Sequence, residues 1–243
     1  MKRFFKWSAV LIGFLAALTA YPTYRLYHEL MKSVSEDPTV WEEDIRALEG
    51  KTRERGPLNE PVVFIGSSSI RFWDSLAADM QPLETIRHGF GGAKLGDIVH
   101  YAARLVNVFE PRAVVVYCGS NDIQPESTKP PEELLRRYRR FVDVVRRNQP
   151  DLPIYYIGIN PTPLRWSVWP QVQATNAAIR TWTEATPGLH YIETGPAFLN
   201  DEGEPDRALF RFDRLHLNDA GYEVWTRMIR PRLLADLSVE RAS

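Results

Sequence analysis

Three residues in this chain have the types that serine-based acyl transfer requires. Ser68 stands in a run of three serines that follows an apolar stretch, whereas Asp213 and His216 lie three residues apart near the other end of the chain. A serine hydroxyl is inert near neutral pH unless a histidine takes its proton, and that histidine needs a carboxylate to fix its tautomer. The sequence therefore contains a candidate nucleophile, base and orienting acid, which the fold must bring together.

Two further segments offer hydrogen-bond donors for an oxyanion. Gly92 closes a glycine-rich segment at residues 89–92, and Asn121 lies in a polar segment at residues 119–122. The negative charge of a tetrahedral intermediate needs two or three fixed donors where it develops. We expect the backbone amides of Ser68 and Gly92 and the side-chain amide of Asn121 to supply them, with glycine at position 92 letting the backbone come close.

Short apolar runs that alternate with helical patterns would position these segments. This alternation is typical of an α/β domain whose parallel strands are joined by crossover helices. In such a sheet, ligands bind beyond the carboxyl ends of the strands, which is where the polar segments fall. A final helix is predicted to begin near Asn218 or Asp219, and Pro231 should end or kink it. The predicted strands are residues 62–65, 85–88, 113–117, 154–159 and 190–192.

The composition limits the classes of ligand that the chain would bind. A formal net charge of -1 gives no field that would collect a polyanion, so we expect no nucleic-acid partner. Cys118 is the only cysteine, which excludes an internal disulfide and a multi-cysteine zinc site. The glycine-rich segment lacks the third glycine of a dinucleotide-binding loop. We therefore expect neither a metal nor another cofactor.

The N-terminus has the pattern of an export signal. Lys2, Arg3 and Lys6 precede a charge-free apolar stretch at residues 7–21. As a helix this stretch would be about 22 Å long, short of the ~30 Å hydrocarbon core, which favours a cleaved signal peptide, but its aromatic flanks also permit a retained anchor. In both cases we expect the domain to be exported, on the periplasmic or extracellular face of the cytoplasmic membrane. Membrane contact would be made only through this segment, if it is uncleaved.

Four sequence blocks carry a more specific pattern. They read FIGSSSIRFW at residues 64–73, GFGG at residues 89–92, GSND at residues 119–122 and HLNDAGY at residues 216–222. With them the sequence resembles the SGNH hydrolase superfamily of GDSL-type esterases and lipases, in particular its exported bacterial branch, over about residues 62–222. The resemblance implies a three-layer α/β/α flavodoxin-like sandwich with a five-stranded parallel sheet. It also implies hydrolysis of an ester without a metal.

The resemblance also assigns roles to the candidate site residues. It implies Ser68, Asp213 and His216 as the catalytic triad, and Ser68, Gly92 and Asn121 as the oxyanion donors. Alignment on Gly66 selects Ser68 as the nucleophile, ahead of its two serine neighbours. Two positions depart from the family pattern, with a serine at 67 in place of the usual aspartate and a serine at 120 in place of a glycine. Neither position is catalytic in the family.

We divide the chain into three parts on these grounds. Residues 1–32 are the export signal or membrane anchor, residues 33–60 a linker and a packing helix, and residues 61–238 the SGNH hydrolase domain. The packing helix is predicted over residues 41–55 because Trp41, Ile45 and Leu48 fall on one face.

The substrate is the least specified part of the function. Trp166 and Trp169 fall in a proline-rich stretch after the fourth predicted strand, where they would contact substrate or simply pack. The segments between the blocks are short and leave little material for a lid. We therefore expect a short-acyl or O-acetyl esterase acting on an envelope glycan or a small-molecule ester. The alternatives are a lysophospholipase- or thioesterase-type lipolytic enzyme and a non-catalytic glycan-binding module on the same fold.

Overall fold

A computed structural model describes residue 29 and residues 31–239 of the chain. The predicted export segment at residues 7–21 therefore lies outside the described residues. Within the part that is described, no helix is both long enough and apolar enough to cross a bilayer.

A five-stranded parallel sheet forms the centre of the fold. Seven strands occur in the described residues: β1 (Val62–Gly66), β2 (Thr85–Gly89), β3 (Ala113–Tyr117), β4 (Ile123–Gln124), β5 (Ser127–Thr128), β6 (Ile154–Ile157) and β7 (Leu189–Ile192). The large sheet has the order β2-β1-β3-β6-β7, and β4 and β5 form a separate two-stranded hairpin. When only the strands of the large sheet are counted, this is the 2-1-3-4-5 order of flavodoxin-like folds.

Helices cover both faces of the sheet and complete three layers. They are α1 (Glu42–Arg55), α2 (Ser68–Arg71), α3 (Leu76–Asp79), α4 (Leu95–Leu105), α5 (Pro131–Val145), α6 (Trp169–Glu184) and α7 (Asp219–Val239). Alternate residues of β1 enter different cores: Val63 and Ile65 join the core that α1, α4, α5 and α6 cover, whereas Val62 and Phe64 join the core beneath α7. The predicted α/β/α sandwich with a five-stranded parallel sheet is confirmed.

Two boundaries differ from the sequence prediction by more than one residue. Pro231 does not end the last helix, because α7 continues to Val239, and the alternative of a kink at this residue stays a prediction. Leu233 and Leu237 are buried beyond the proline, and their packing outweighs the hydrogen bond that proline cannot donate. Strand β6 ends at Ile157 rather than at residue 159, because the side chain of Asn176 binds the backbone N–H and C=O of Ile159.

Candidate active site

The turn between β1 and α2 presents Ser68 at the edge of the sheet. Gly66 ends β1 where a Cβ atom would lie 2.0 Å from the Tyr117 carbonyl oxygen, so only glycine fits this approach of two strands. The Ser67 amide donates to the same carbonyl, and Ser68 then begins α2. The nucleophile candidate is half-buried, whereas Ser67 and Ser69 are buried.

Ser68, His216 and Asp213 form one hydrogen-bonded chain. His216 Nε2 lies 2.9 Å from Ser68 Oγ, and His216 Nδ1 lies 2.7 Å from Asp213 Oδ2. The other carboxylate oxygen of Asp213 accepts the backbone amides of Leu215 and His216, each at 2.9 Å. Burial raises the pKa of Asp213, but the hydrogen bonds from His216 and Leu215 outweigh it and hold that pKa below its ordinary value. An ionised Asp213 can therefore hold the imidazole in the tautomer that accepts a proton at Nε2.

Aromatic packing fixes the histidine from the side. The Phe72 ring meets the His216 ring edge-on, with 4.9 Å between ring centroids and 90° between planes. Phe72 follows α2 directly, so the element that carries Ser68 also supports its base. This contact restricts the rotation of the imidazole about its hydrogen bond to Asp213.

Asn121 lies beside the serine, in a short 3₁₀ turn after β3. Its Nδ2 donates to the Ala93 carbonyl at 3.1 Å, and its Oδ1 accepts from Arg165 at 3.0 Å. An NH₂ group carries two hydrogens, so one remains for an oxyanion. Gly92 precedes Ala93 and does not line the cavity that contains Ser68. The structure therefore ties the glycine segment to the asparagine segment but leaves Gly92 at the margin of the site.

The cavity at the site is small. It has a volume of about 20 Å³, which is room for one or two water molecules. Trp169 lines it, and Trp166 does not, although the two indoles stack with 6.1 Å between ring centroids and 22° between planes. The residues that line the cavity include Ser68, Asn121, Ile159, Arg165, Trp169 and His216.

Two residues of the site were not predicted as functional from the sequence. Arg165 lies 44 residues further along the chain than Asn121 and contacts its side chain. The sequence signal that could have identified Arg165 was its position after the fourth predicted strand, in the same stretch as Trp166 and Trp169. Asp122 is the second of these residues. Its side chain is fully buried, and its Oδ2 accepts the Leu95 amide at 2.9 Å, which joins the Asn121 turn to the start of α4.

Cys118 and the acidic side chains nearby offer no second reactive centre. Cys118 is fully buried, and burial raises the pKa of its thiol, so it stays protonated and unreactive. In residue 29 and residues 31–239, no group of three or more His, Cys, Asp or Glu side chains is arranged to hold a metal ion.

The sequence and the fold both match known proteins. Residues 65–224 match the model of the GDSL-like lipase/acylhydrolase family. A proposed acylhydrolase from Bacteroides fragilis matches in structure with a TM-score of 0.68 at 16% identity, over 79% of this chain and 96% of that chain. A GDSL-like lipase from Bacteroides thetaiotaomicron matches with a TM-score of 0.64 at 17% identity, over 82% of this chain and 100% of that chain.

A carbohydrate esterase of family 3 from Talaromyces cellulolyticus is also similar in structure, with a TM-score of 0.57 at 17% identity, over 74% of this chain and 99% of that chain. At these identities the structural likeness shows the fold alone. No curated protein sequence matches the chain.

Proposed function

Because this chain belongs to the GDSL-like lipase/acylhydrolase family and is therefore an ester-bond hydrolase, we propose that it cleaves carboxylic esters through an acyl-serine intermediate. Ser68 is the nucleophile in this proposal, His216 the general base and Asp213 the residue that orients it. The observation that carries the proposal is the continuous hydrogen-bonded chain from Ser68 Oγ through His216 to Asp213.

The proposed reaction has two steps that use the same base. His216 Nε2 accepts the proton of Ser68 while Oγ attacks the ester carbonyl carbon, and the charge that develops on the carbonyl oxygen is met by the amides of Ser68 and Gly92 and by Asn121 Nδ2. Collapse of this intermediate expels the alcohol, which takes the proton from His216. A water molecule, deprotonated by His216, then attacks the acyl-serine, and collapse of the second intermediate releases the carboxylic acid while His216 returns the proton to Ser68 Oγ.

The size of the cavity supports a short acyl group. A volume of about 20 Å³ beside Ser68 accommodates an acetyl methyl group, whereas an extended hydrocarbon chain would have to continue beyond this cavity. We therefore propose acetyl or similarly short esters as substrates. The lipolytic alternative would require this cavity to widen.

The proposed carrier of the acyl group is a glycan. Trp169 is half-buried at the cavity wall and stacks on Trp166, and a flat aromatic face of this kind packs against the C–H face of a sugar ring while polar neighbours bind its hydroxyls. The similarity of the fold to a carbohydrate esterase is in keeping with this carrier.

The identity of the nucleophile can be tested with a fluorophosphonate probe and mass-spectrometric mapping. We expect the probe to label Ser68 alone, because among the three consecutive serines only Ser68 has a histidine nitrogen within hydrogen-bond distance of its hydroxyl. The Ser68→Ala variant should lose kcat on the order of a millionfold toward p-nitrophenyl acetate. Ser69→Ala is the matched control and should keep most of the activity. Retained turnover in a purified Ser68→Ala protein would falsify the assignment.

The acyl group can be tested with a series of p-nitrophenyl esters. We expect kcat/KM to be highest for acetate and to fall by an order of magnitude or more by octanoate, since each added methylene must leave the small cavity and lie against solvent. The reverse order, with octanoate preferred, would replace the short-acyl proposal by the lipolytic alternative.

A further inference from the structure

Arg165 places a positive charge inside the site without an acidic partner. Its Nη1 donates to the Ser120 carbonyl at 2.7 Å and its Nη2 donates to Asn121 Oδ1 at 3.0 Å. Among the described residues Arg165 forms no ion pair, and Glu126 is the acidic residue whose charge acts on it from a distance. Burial lowers the pKa of its guanidinium, yet an arginine remains protonated in proteins.

A cation without an acidic partner in a largely enclosed place is costly, because no opposite charge offsets its desolvation, so its presence points to a group in the site that supplies or develops negative charge. The charge lines the same cavity as Ser68 and His216. In the proposed reaction, the group in that cavity that gains negative charge is the carbonyl oxygen of the ester. A cation that orients and polarises a hydrogen-bond donor of that oxygen therefore favours the tetrahedral intermediate over the neutral ester, which is the differential effect that accelerates a reaction.

The hydrogen bonds around Asn121 determine which way its amide faces. A guanidinium has donors and no acceptor, so the atom that meets Arg165 must be Oδ1. The Ala93 carbonyl accepts one hydrogen of Nδ2. The second Nδ2 hydrogen has no acceptor among the described residues, and Asn121 lines the cavity where an ester would bind. A cation on the amide oxygen also polarises the amide and strengthens its N–H donors.

We propose that Arg165 is a positioning residue for the oxyanion, which it serves by orienting and polarising the Asn121 amide. This inference rests on the proposed function, in which Asn121 is an oxyanion donor. It adds a member to the site that lies in the loop before α6, outside the four sequence blocks.

A double-mutant cycle in the full-length chain tests the proposal with p-nitrophenyl acetate as substrate. We expect Asn121→Ala to lower kcat by about a hundred- to thousandfold and Arg165→Ala by about ten- to a hundredfold, with KM changed by less than about threefold. The double variant should lose no more activity than Asn121→Ala alone, because Arg165 acts through Asn121. Arg165→Lys should recover part of kcat, since lysine keeps the charge and one hydrogen bond.

Controls separate this role from a structural one. Arg140 is exposed on α5, and Arg140→Ala should leave kcat unchanged. If Arg165→Ala fails to fold, the cycle is run with Arg165→Lys.

Three results would overturn the proposal. Losses that multiply in the double variant would mean that Arg165 acts independently of Asn121. A lower melting temperature with normal kcat in Arg165→Ala would mean that the arginine only supports the fold, and a rise in KM alone would make it a substrate-binding group. If instead Asn121→Ala keeps full activity, the oxyanion part of the proposed function itself has failed.

Discussion

At the scale of single residues, the three consecutive serines differ in what surrounds their hydroxyl groups. Ser68 Oγ lies 2.9 Å from His216 Nε2. The hydroxyl of Ser67 is buried and has no hydrogen-bond partner among the described residues, and Ser69 is buried with its carbonyl accepting the Tyr222 hydroxyl. The three serines are chemically equivalent. Ser68 is the candidate nucleophile because its side chain, at the start of α2, is the one that points toward His216.

Gly92 leads to a prediction at the same scale. A Cβ atom at this position would lie 2.5 Å from the Cβ of Ser33. Gly92→Ala must therefore displace either the segment that carries Ser33 or the glycine-rich segment at residues 89–92. We expect kcat toward p-nitrophenyl acetate to fall by about ten- to a hundredfold, since a displacement of about 1 Å in a site can cost a hundredfold.

A compensating change provides the control for Gly92→Ala. Ser33→Gly removes the Cβ that the new methyl group would meet, so the double variant should recover most of kcat. Its activity is compared with that of Ser33→Gly alone, which measures the effect of losing the serine side chain. A double variant as impaired as Gly92→Ala would show that the methyl group acts on the substrate rather than on the linker.

At the scale of elements, the parts of the fold that repeat a simple pattern were predictable from the sequence. β3 was predicted with its observed bounds because continuous Val and Tyr side chains suit a strand that is buried on both faces. The hairpin of β4 and β5 was missed because two residues per strand carry no periodicity. The predicted domain boundaries stay predictions.

The candidate site was predictable to the extent that the parallel sheet dictates it. Ser68, Asn121 and His216 follow from the rule that loops at the carboxyl ends of parallel strands converge. Arg165 does not, because its contact with Asn121 depends on the path of an irregular loop through Pro163–Val168. The Lys94 ammonium binds the Ser35 carbonyl and the Glu36 carboxylate. This contact could not be predicted either, because it joins residues that are far apart in the sequence.

At the scale of the whole molecule, two buried groups give the stability of the domain opposite dependences on pH. Burial lowers the pKa of His88 from 6.5 to about 4, although its ring bonds the Leu105 carbonyl and the Thr52 hydroxyl. Burial raises the pKa of Asp97 from 3.8 to about 6, although it accepts the Lys94 amide. At a pH between its two pKa values, His88 is neutral in the folded protein and protonated in the unfolded chain. Asp97, in the corresponding range, is protonated in the folded protein and ionised in the unfolded chain.

The signs follow from proton linkage. The contribution of His88 is full above pH 6.5 and is lost as the pH falls from 6.5 toward 4, because the unfolded chain gains a proton that the folded protein does not accept. The contribution of Asp97 is full below about pH 3.8 and is lost as the pH rises through 6. Between pH 4 and 6 the two slopes oppose each other in the unchanged protein.

Removing either group should therefore expose the slope of the other. We expect the free energy of unfolding of His88→Gln, measured by urea titration at several pH values from 7 to 4.5, to rise on acidification relative to the unchanged chain. For Asp97→Asn it should fall more steeply. In each case the free energy of unfolding should change by ~2 kcal/mol between pH 7 and 4.5, relative to the unchanged chain. The other carboxylates are common to the three proteins, and apart from Asp122, which interacts with Asp97, and Glu49, which interacts with His88, their contributions cancel in the comparison. Parallel curves would mean that neither group titrates differently in the folded and unfolded states.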